Sequence, residues 1–201
     1  LVTCHSGAPG GIGAFRGDLS TGTLTPLGRA ASAGRGPSQL TLDHTSRFVL
    51  SANYGGGYVD VHALGAAGLG AQTAHVQHTG RGPDATRQTQ SHVHCVRMSP
   101  DNRFALVADL GLDRVFVYRF DAAAGTLTPH DPPFVATAPA SGPRHLAWHP
   151  DGRGGDLSEY GSSTSTTFAW DAERGRLDAR QTVGTLPGDL TCDNTAAGIL
   201  V

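Results

Sequence analysis

The sequence predicts an all-β fold of the β-propeller type, with about four blades or part-blades represented. Three observations carry this reading. One pattern occurs three times, as GPSQLTLDHTSRFVLSANYGGGYVDVHAL from Gly36, SHVHCVRMSPDNRFALVADLGLDRVFVYRF from Ser91 and GPRHLAWHPDGRGGDLSEYGSSTSTTFAW from Gly142. Aligning Arg47, Arg103 and Arg153 gives steps of 56 and 50 residues, the period of blades built from four short strands. No interval sustains a helical period, which disfavours an α/β enzyme.

Taken in order, GGIGAFRGDLSTGTLTPLG reads as strand, turn and strand. Its GTLTP segment recurs 103 residues on at Gly125, and GRLDA at Gly175 echoes it 50 residues later, so these segments are read as outer strands or the turns that feed them. Within each unit RFVLSANY, RFALVADL and RVFVYRF show the alternation and β-branched content of sheet strands. Asp101-Asn102 and Asp151-Gly152 are the turn formers between them. The third unit breaks the pattern over residues 153–167, where GGDLSEYGSSTSTT replaces the apolar strand, so this segment is expected to pair poorly as a central strand. The whole chain, 1–201, is read as one partial domain, incomplete at both ends: it does not start with Met, and NTAAGILV begins what reads as a new strand.

Composition narrows the function. The 15 basic residues, all Arg, nearly balance 17 acidic ones and form no dense run, so no nucleic-acid surface is expected. No apolar run approaches the roughly 20 residues of a membrane span and no secretory signal is read at the start, so neither membrane contact nor export is expected. Cys4, Cys95 and Cys192 are odd in number and widely spaced, against a disulfide framework or a zinc knuckle and mildly in favour of a reducing, cytoplasmic setting.

Candidate chemistry gathers around one repeat position. His92 and His94 are two apart and in an extended strand would share a face, where imidazoles serve as an acid/base pair, an anion site or two metal ligands; no Cys/His/Asp set completes a metal sphere. Arg144 lies one repeat beyond His94, placed to hold a carboxylate, phosphate or developing oxyanion, unless it pairs with an acidic turn. Glu159 is the acid nearest to completing the set, although the irregular segment suggests misregister or exposure. Arg87 and Gln88 are substrate-binding candidates at the same mouth, a solvated loop being the alternative. Asp109 and Asp113 frame DLGLDR, where either is an expected ion-pair partner for Arg114. The Gly55–Gly57 run lacks the Lys-Ser/Thr ending of a phosphate loop, and exposure or packing on Trp148 accounts for His145 and His149.

The segments SANYGGGYVDV, RQTQSHVHCVRMSPDNRFALVADLGLDRVFVYRFD, GPRHLAWHP and QTVGTLPG, in this order, resemble the bacterial lactonase family that includes propeller-type 6-phosphogluconolactonase and the fungal 3-carboxymuconate lactonizing enzyme. The resemblance spans nearly the whole chain and implies a seven-bladed propeller of which about half is present. Carried over by position, the family's paired histidines correspond to His92 and His94 and its anion-holding arginine to Arg144. The acid of its Asn-Glu pair has Ser158-Glu159 as the nearest match, about one residue early. Intact sequence on both sides of a scrambled core is what a local reading-frame disturbance leaves. The implied activity is hydrolysis of 6-phosphogluconolactone, with a lactonizing cyclase as the alternative, and no cofactor or obligatory metal. An inactive fragment is the nonenzymatic alternative, its exposed blade edges inviting self-association or a role as an interaction module.

Overall fold

The computed structural model describes residues 2–5, 10–31, 36–188 and 194–201. Fifteen strands form four antiparallel meanders. The first has three strands, β1 (Val2–His5), β2 (Gly11–Gly17) and β3 (Leu24–Ala31). The second comprises β4 (Pro37–Leu42), β5 (Phe48–Asn53), β6 (Tyr58–Gly65) and β7 (Gly68–Gln77). The third comprises β8 (Val93–Met98), β9 (Phe104–Asp109), β10 (Arg114–Asp121) and β11 (Thr126–Ala136), and the fourth β12 (Pro143–Trp148), β13 (Gly154–Glu159), β14 (Thr164–Asp171) and β15 (Arg176–Gly184). The recurring Gly-Thr/Arg-Leu segments lead into β3, β11 and β15, the last strands of their sheets. Among the described residues no helix is long and apolar enough to cross a membrane.

The two middle strands of a sheet alternate between neighbours, because successive side chains leave a strand on opposite faces. Leu50, Ala52, Val59 and Val61 of the second sheet meet Ala105, Val107 and Tyr118 of the third in one core. Leu106, Ala108, Val115 and Val117 of the third meet Leu157, Phe168 and Trp170 of the fourth in another. The Arg-Phe pair that opens the second strand latches the second sheet to the third and the third to the fourth. The Phe48 ring lies where a Cβ on Gly125 would fall, and the Phe104 ring fills the same place at Gly175. Both glycines have a left-handed φ, 68° and 61°, so turn and latch require the same residue. Arg47 and Arg103 donate to the carbonyls of Ala122 and Ala172 in those turns.

One expectation is corrected. Residues 154–159 all pair with β14 on one side, and residues 155–159 pair with β12 on the other. Backbone ladders do not depend on side chains, and Gly154 and Gly155 sit where a Cβ would fall 2.4 Å from the Phe168 oxygen and 2.6 Å from the Ala147 oxygen. Glu159 is in register, opposite Pro143 as Asp109 is opposite Val93 and Asn53 opposite Pro37, and it is buried rather than exposed. The irregularity falls on one face instead. Where the third sheet offers Phe104, Leu106, Ala108, Val115 and Val117 to its neighbour, the fourth has Gly154, Asp156, Ser158, Ser165 and Thr167 at the equivalent positions. Asp156 there accepts from Thr167 Oγ1 at 2.6 Å and pairs with His149 at 3.0 Å.

Because Phe104 is fully buried on Gly175 while Arg103 is exposed, Phe104→Ala should lower unfolding free energy by about 3–5 kcal/mol and Arg103→Ala by less than about 1 kcal/mol, read from urea unfolding.

Candidate active site

The first strand of each four-stranded blade carries a β-bulge at the same place. Pro37 and Gln39 face consecutive residues of β5, leaving Ser38 unpaired; His94 is skipped in the same way in β8, and Arg144 in β12. A bulge leaves one residue outside the ladder and re-aims its side chain, a device common beside active sites. His94 and Arg144 both line a cavity of about 250 Å³ with Tyr54, Arg87, Leu110 and Tyr160. Ser38 instead turns to its neighbour and donates to the His94 carbonyl at 3.0 Å.

The bulge also breaks the expected pairing of the two histidines. His92 lies just before β8, stacks on Tyr54 with ring centroids 4.3 Å apart, and donates from Nδ1 to the Tyr54 carbonyl at 3.1 Å. Its backbone N–H is held by Asp109 Oδ1 at 2.8 Å. That carboxylate also accepts from Ser91 Oγ and His78 Nδ1, and Tyr118 donates to His78 Nε2 at 2.7 Å. Burial and the nearby Asp109 push the Tyr118 phenol up, so it remains a donor. His94 meets the edge of Tyr54 and lies 4.9 Å from His145, ring to ring. The ring neighbour of His94 is therefore His145, with Tyr54 between the two predicted histidines.

Burial, reinforced by the charges of Arg144, His145 and Arg87, pushes His94 down to about 3. Burial, then Arg144 and Arg97, pushes His145 down to about 4. Both imidazoles are neutral at pH 7. His94 Nδ1 is buried without a partner among the described residues.

The remaining predicted residues divide. Arg87 lines the cavity, its guanidinium 4.8 Å from the centroid of the Tyr160 ring. Gln88 is buried and holds the loop: Nε2 donates to the Leu110 carbonyl and Asp113, and Oε1 accepts from the Asp84 N–H. Glu159 accepts from Thr164 and Thr166 at 2.7 and 2.9 Å and lines neither this cavity nor its neighbour. Arg114 pairs with neither Asp109 nor Asp113 but lies over the Phe134 ring at 4.1 Å. The sequence reading gives Tyr54 and Tyr160 no role and explains His145 by exposure or packing on Trp148; the repeat registers that set Tyr160 beside Glu159 and His145 beside Arg144 are the signal that could have found them. Cys95 is a buried free thiol that burial pushes up, while the Cys4 side chain and Cys192 lie outside the described residues. Among the described residues no group of three or more His, Cys, Asp or Glu is placed to hold a metal ion.

Two arginines, a neutral histidine and two tyrosine walls thus surround one cavity, chemistry compatible with anion binding and proton transfer. The family model described as Lactonase, 7-bladed beta-propeller matches residues 2–201. The chain belongs to this lactonase family. It is 30% identical to the 6-phosphogluconolactonase of Bacillus subtilis (strain 168) over 193 residues, 96% of this chain and 54% of that protein. The 6-phosphogluconolactonase of Klebsiella pneumoniae (strain 342) is 33% identical, over 92% of this chain and 52% of that one. Among solved structures, the periplasmic gluconolactonase of Pseudomonas aeruginosa superposes with a TM-score of 0.83 at 33% identity, covering 90% of this chain and 51% of that one. The chain thus spans about half the length of these relatives.

The unfolded chain holds its histidines near 6.5, so between that value and the folded values near 3 and 4 it binds more protons than the native state. Stability should be complete above about pH 7 and fall as pH drops toward 4. Melting temperature followed from pH 8 to pH 4 checks this, and His94→Gln should flatten the slope.

Proposed function

We propose that this chain carries a lactone-hydrolase site of the 6-phosphogluconolactonase type. The observation that carries the reading is the convergence of Arg87 and Arg144 on the His94 cavity, neither forming an ion pair with a carboxylate among the described residues. Two guanidinium groups free of a salt bridge among the described residues suit an anionic sugar lactone, and the relatives named for this substrate share the chain's family. The arrangement of a neutral imidazole beside two cations adds a condition. An anionic ligand offsets the arginine charges, and His94 then becomes a better proton acceptor.

In the reaction, Arg144 donates to the lactone carbonyl oxygen and holds the negative charge that develops there. Water adds to the carbonyl carbon as His94 Nε2 takes its proton. The ring C–O bond then breaks, and the ring oxygen receives that proton to become a hydroxyl, leaving the open-chain acid, which ionises in water. Arg87 binds the distal anionic group. Tyr54 and Tyr160 wall the site and reduce the water around it.

Acid release from freshly generated 6-phosphogluconolactone, above spontaneous hydrolysis, tests the reading. Arg144→Ala should reduce the accelerated rate by about 10²–10³-fold and His94→Ala by about 10²-fold, with circular dichroism unchanged. A folded parent chain that gives no acceleration would overturn the assignment.

A further inference from the structure

A second cavity, of about 600 Å³, adjoins the first and shares Arg87, Leu110 and Tyr160 with it; Asp84, Gln88, Gly142 and Asn194 are among its other walls. Arg87 therefore stands on the boundary of the two spaces. Neither Arg87 nor Arg144 is fixed through its own guanidinium by a carboxylate, so both depend on how their backbones are anchored. The Arg87 N–H is held by Asp84 Oδ1 at 3.1 Å, and one further anchor from each side meets at a single residue.

Gln88, adjacent to Arg87, donates from Nε2 to Asp113 Oδ1 at 2.7 Å. Gly142, two residues before Arg144, donates its N–H to the same oxygen at 2.9 Å. Asp113 Oδ2 accepts the Ala140 N–H at 2.7 Å, and the Asp113 carbonyl accepts the Thr137 N–H at 3.0 Å. Asp113 is buried, at 7% exposure, with a left-handed φ of 52° that fixes it in the β9–β10 turn. Its equivalents one repeat away are Gly57 and Ser163, and no carboxylate stands at either. A carboxylate surrounded by three donors, joining the loop that carries Arg87 to the strand that carries Arg144, occurs only at this junction of the repeat positions compared.

We infer that Asp113 is a positioning residue that sets the spacing of a two-arginine clamp, and through it the preference of the site for ligands with two separated anionic groups. The inference rests on the reading that an anionic sugar acid or lactone occupies the cavity. Asp113 touches no ligand in this arrangement. It acts through Gln88 on Arg87 and through Gly142 on Arg144, so that loss of either tie frees one arginine while leaving its charge in place.

Titration calorimetry with 6-phosphogluconate, which carries a phosphate and a carboxylate, against gluconate, which carries the carboxylate alone, tests this on the whole chain. The parent should prefer 6-phosphogluconate by at least about tenfold. Asp113→Asn turns an amide N–H toward backbone N–H donors, and should cut that preference below about threefold while gluconate affinity moves less. Gln88→Met cuts the tie to Arg87, together with the Gln88 bonds to the Leu110 carbonyl and the Asp84 N–H, while leaving Gly142 on Asp113, and should give the same loss, which keeps the proposal testable if Asp113→Asn does not fold. In an Arg87→Ala background Gln88→Met should not reduce the remaining preference further, because a residue acting through Arg87 alone cannot add to its removal. Equal weakening of both ligands, or a Gln88→Met loss that adds to Arg87→Ala, would assign this cluster a structural role only and overturn the inference. A parent chain that binds neither ligand would instead overturn the lactone reading, and this inference with it.

Discussion

The third sheet is apolar on both sides of its middle strands, and such a sheet is stable only while a neighbour covers each face. Everything else in the chain follows from that requirement. Leu106 and Val107 are adjacent in β9, yet they belong to different cores because a strand turns alternate residues to opposite faces. The Arg-Phe latch operates at the rim of the same contacts, with an aromatic ring closing the core and an arginine satisfying a turn carbonyl outside it. The inner strands are joined in a similar way. Gln39 accepts the Val96 N–H and Arg97 donates to the Leu146 carbonyl, so groups of adjacent blades that no ladder pairs are bonded by side chains.

The candidate site is built where this regular scheme lapses. A bulge in each inner strand lifts one residue out of the ladder, and the identity of that residue changes from serine to histidine to arginine along the chain. The scaffold is therefore repetitive while the cavity is not. Two guanidinium groups and the His94 imidazole line the smaller cavity, while the carboxylates of Asp109, Asp113 and Glu159 are turned inward and spend their acceptors on backbone N–H and hydroxyl groups. These three acids hold the frame, and Asp84 alone of the nearby acids lines the adjoining cavity.

Much of this was legible in the sequence because strand alternation and turn chemistry are local. The repeats, their period and the final-strand segments follow from patterns such as RFVLSANY and GTLTP, and the resemblance of long ordered segments led to the family. The bulges were not legible, since alternation assumes an unbroken ladder; that assumption put His92 and His94 on one face, when Tyr54 stands between them. Gln88 reads as a polar loop residue, and only the fold shows its amide buried against Asp113. Glu159 looked misplaced because its neighbours are unusual, yet backbone pairing is indifferent to whether a strand reads LVAD or LSE. His145 was passed over because its distinction lies in a neighbour 51 residues away, His94, which spacing along one strand does not reveal.

The outer face of the fourth sheet has a further consequence. Asp156, Ser158, Ser165 and Thr167 stand where the preceding blades carry leucine, alanine and valine, and the side chains of Asp156 and Thr167 bond to each other instead of reaching outward. Whatever covers this face buries hydroxyls and a carboxylate where the preceding junctions bury oily groups, so the apolar gain at this contact is smaller than at the two before it. Contact there is made through polar bonds instead, as Ser158 Oγ makes to the Ala197 carbonyl at 3.4 Å.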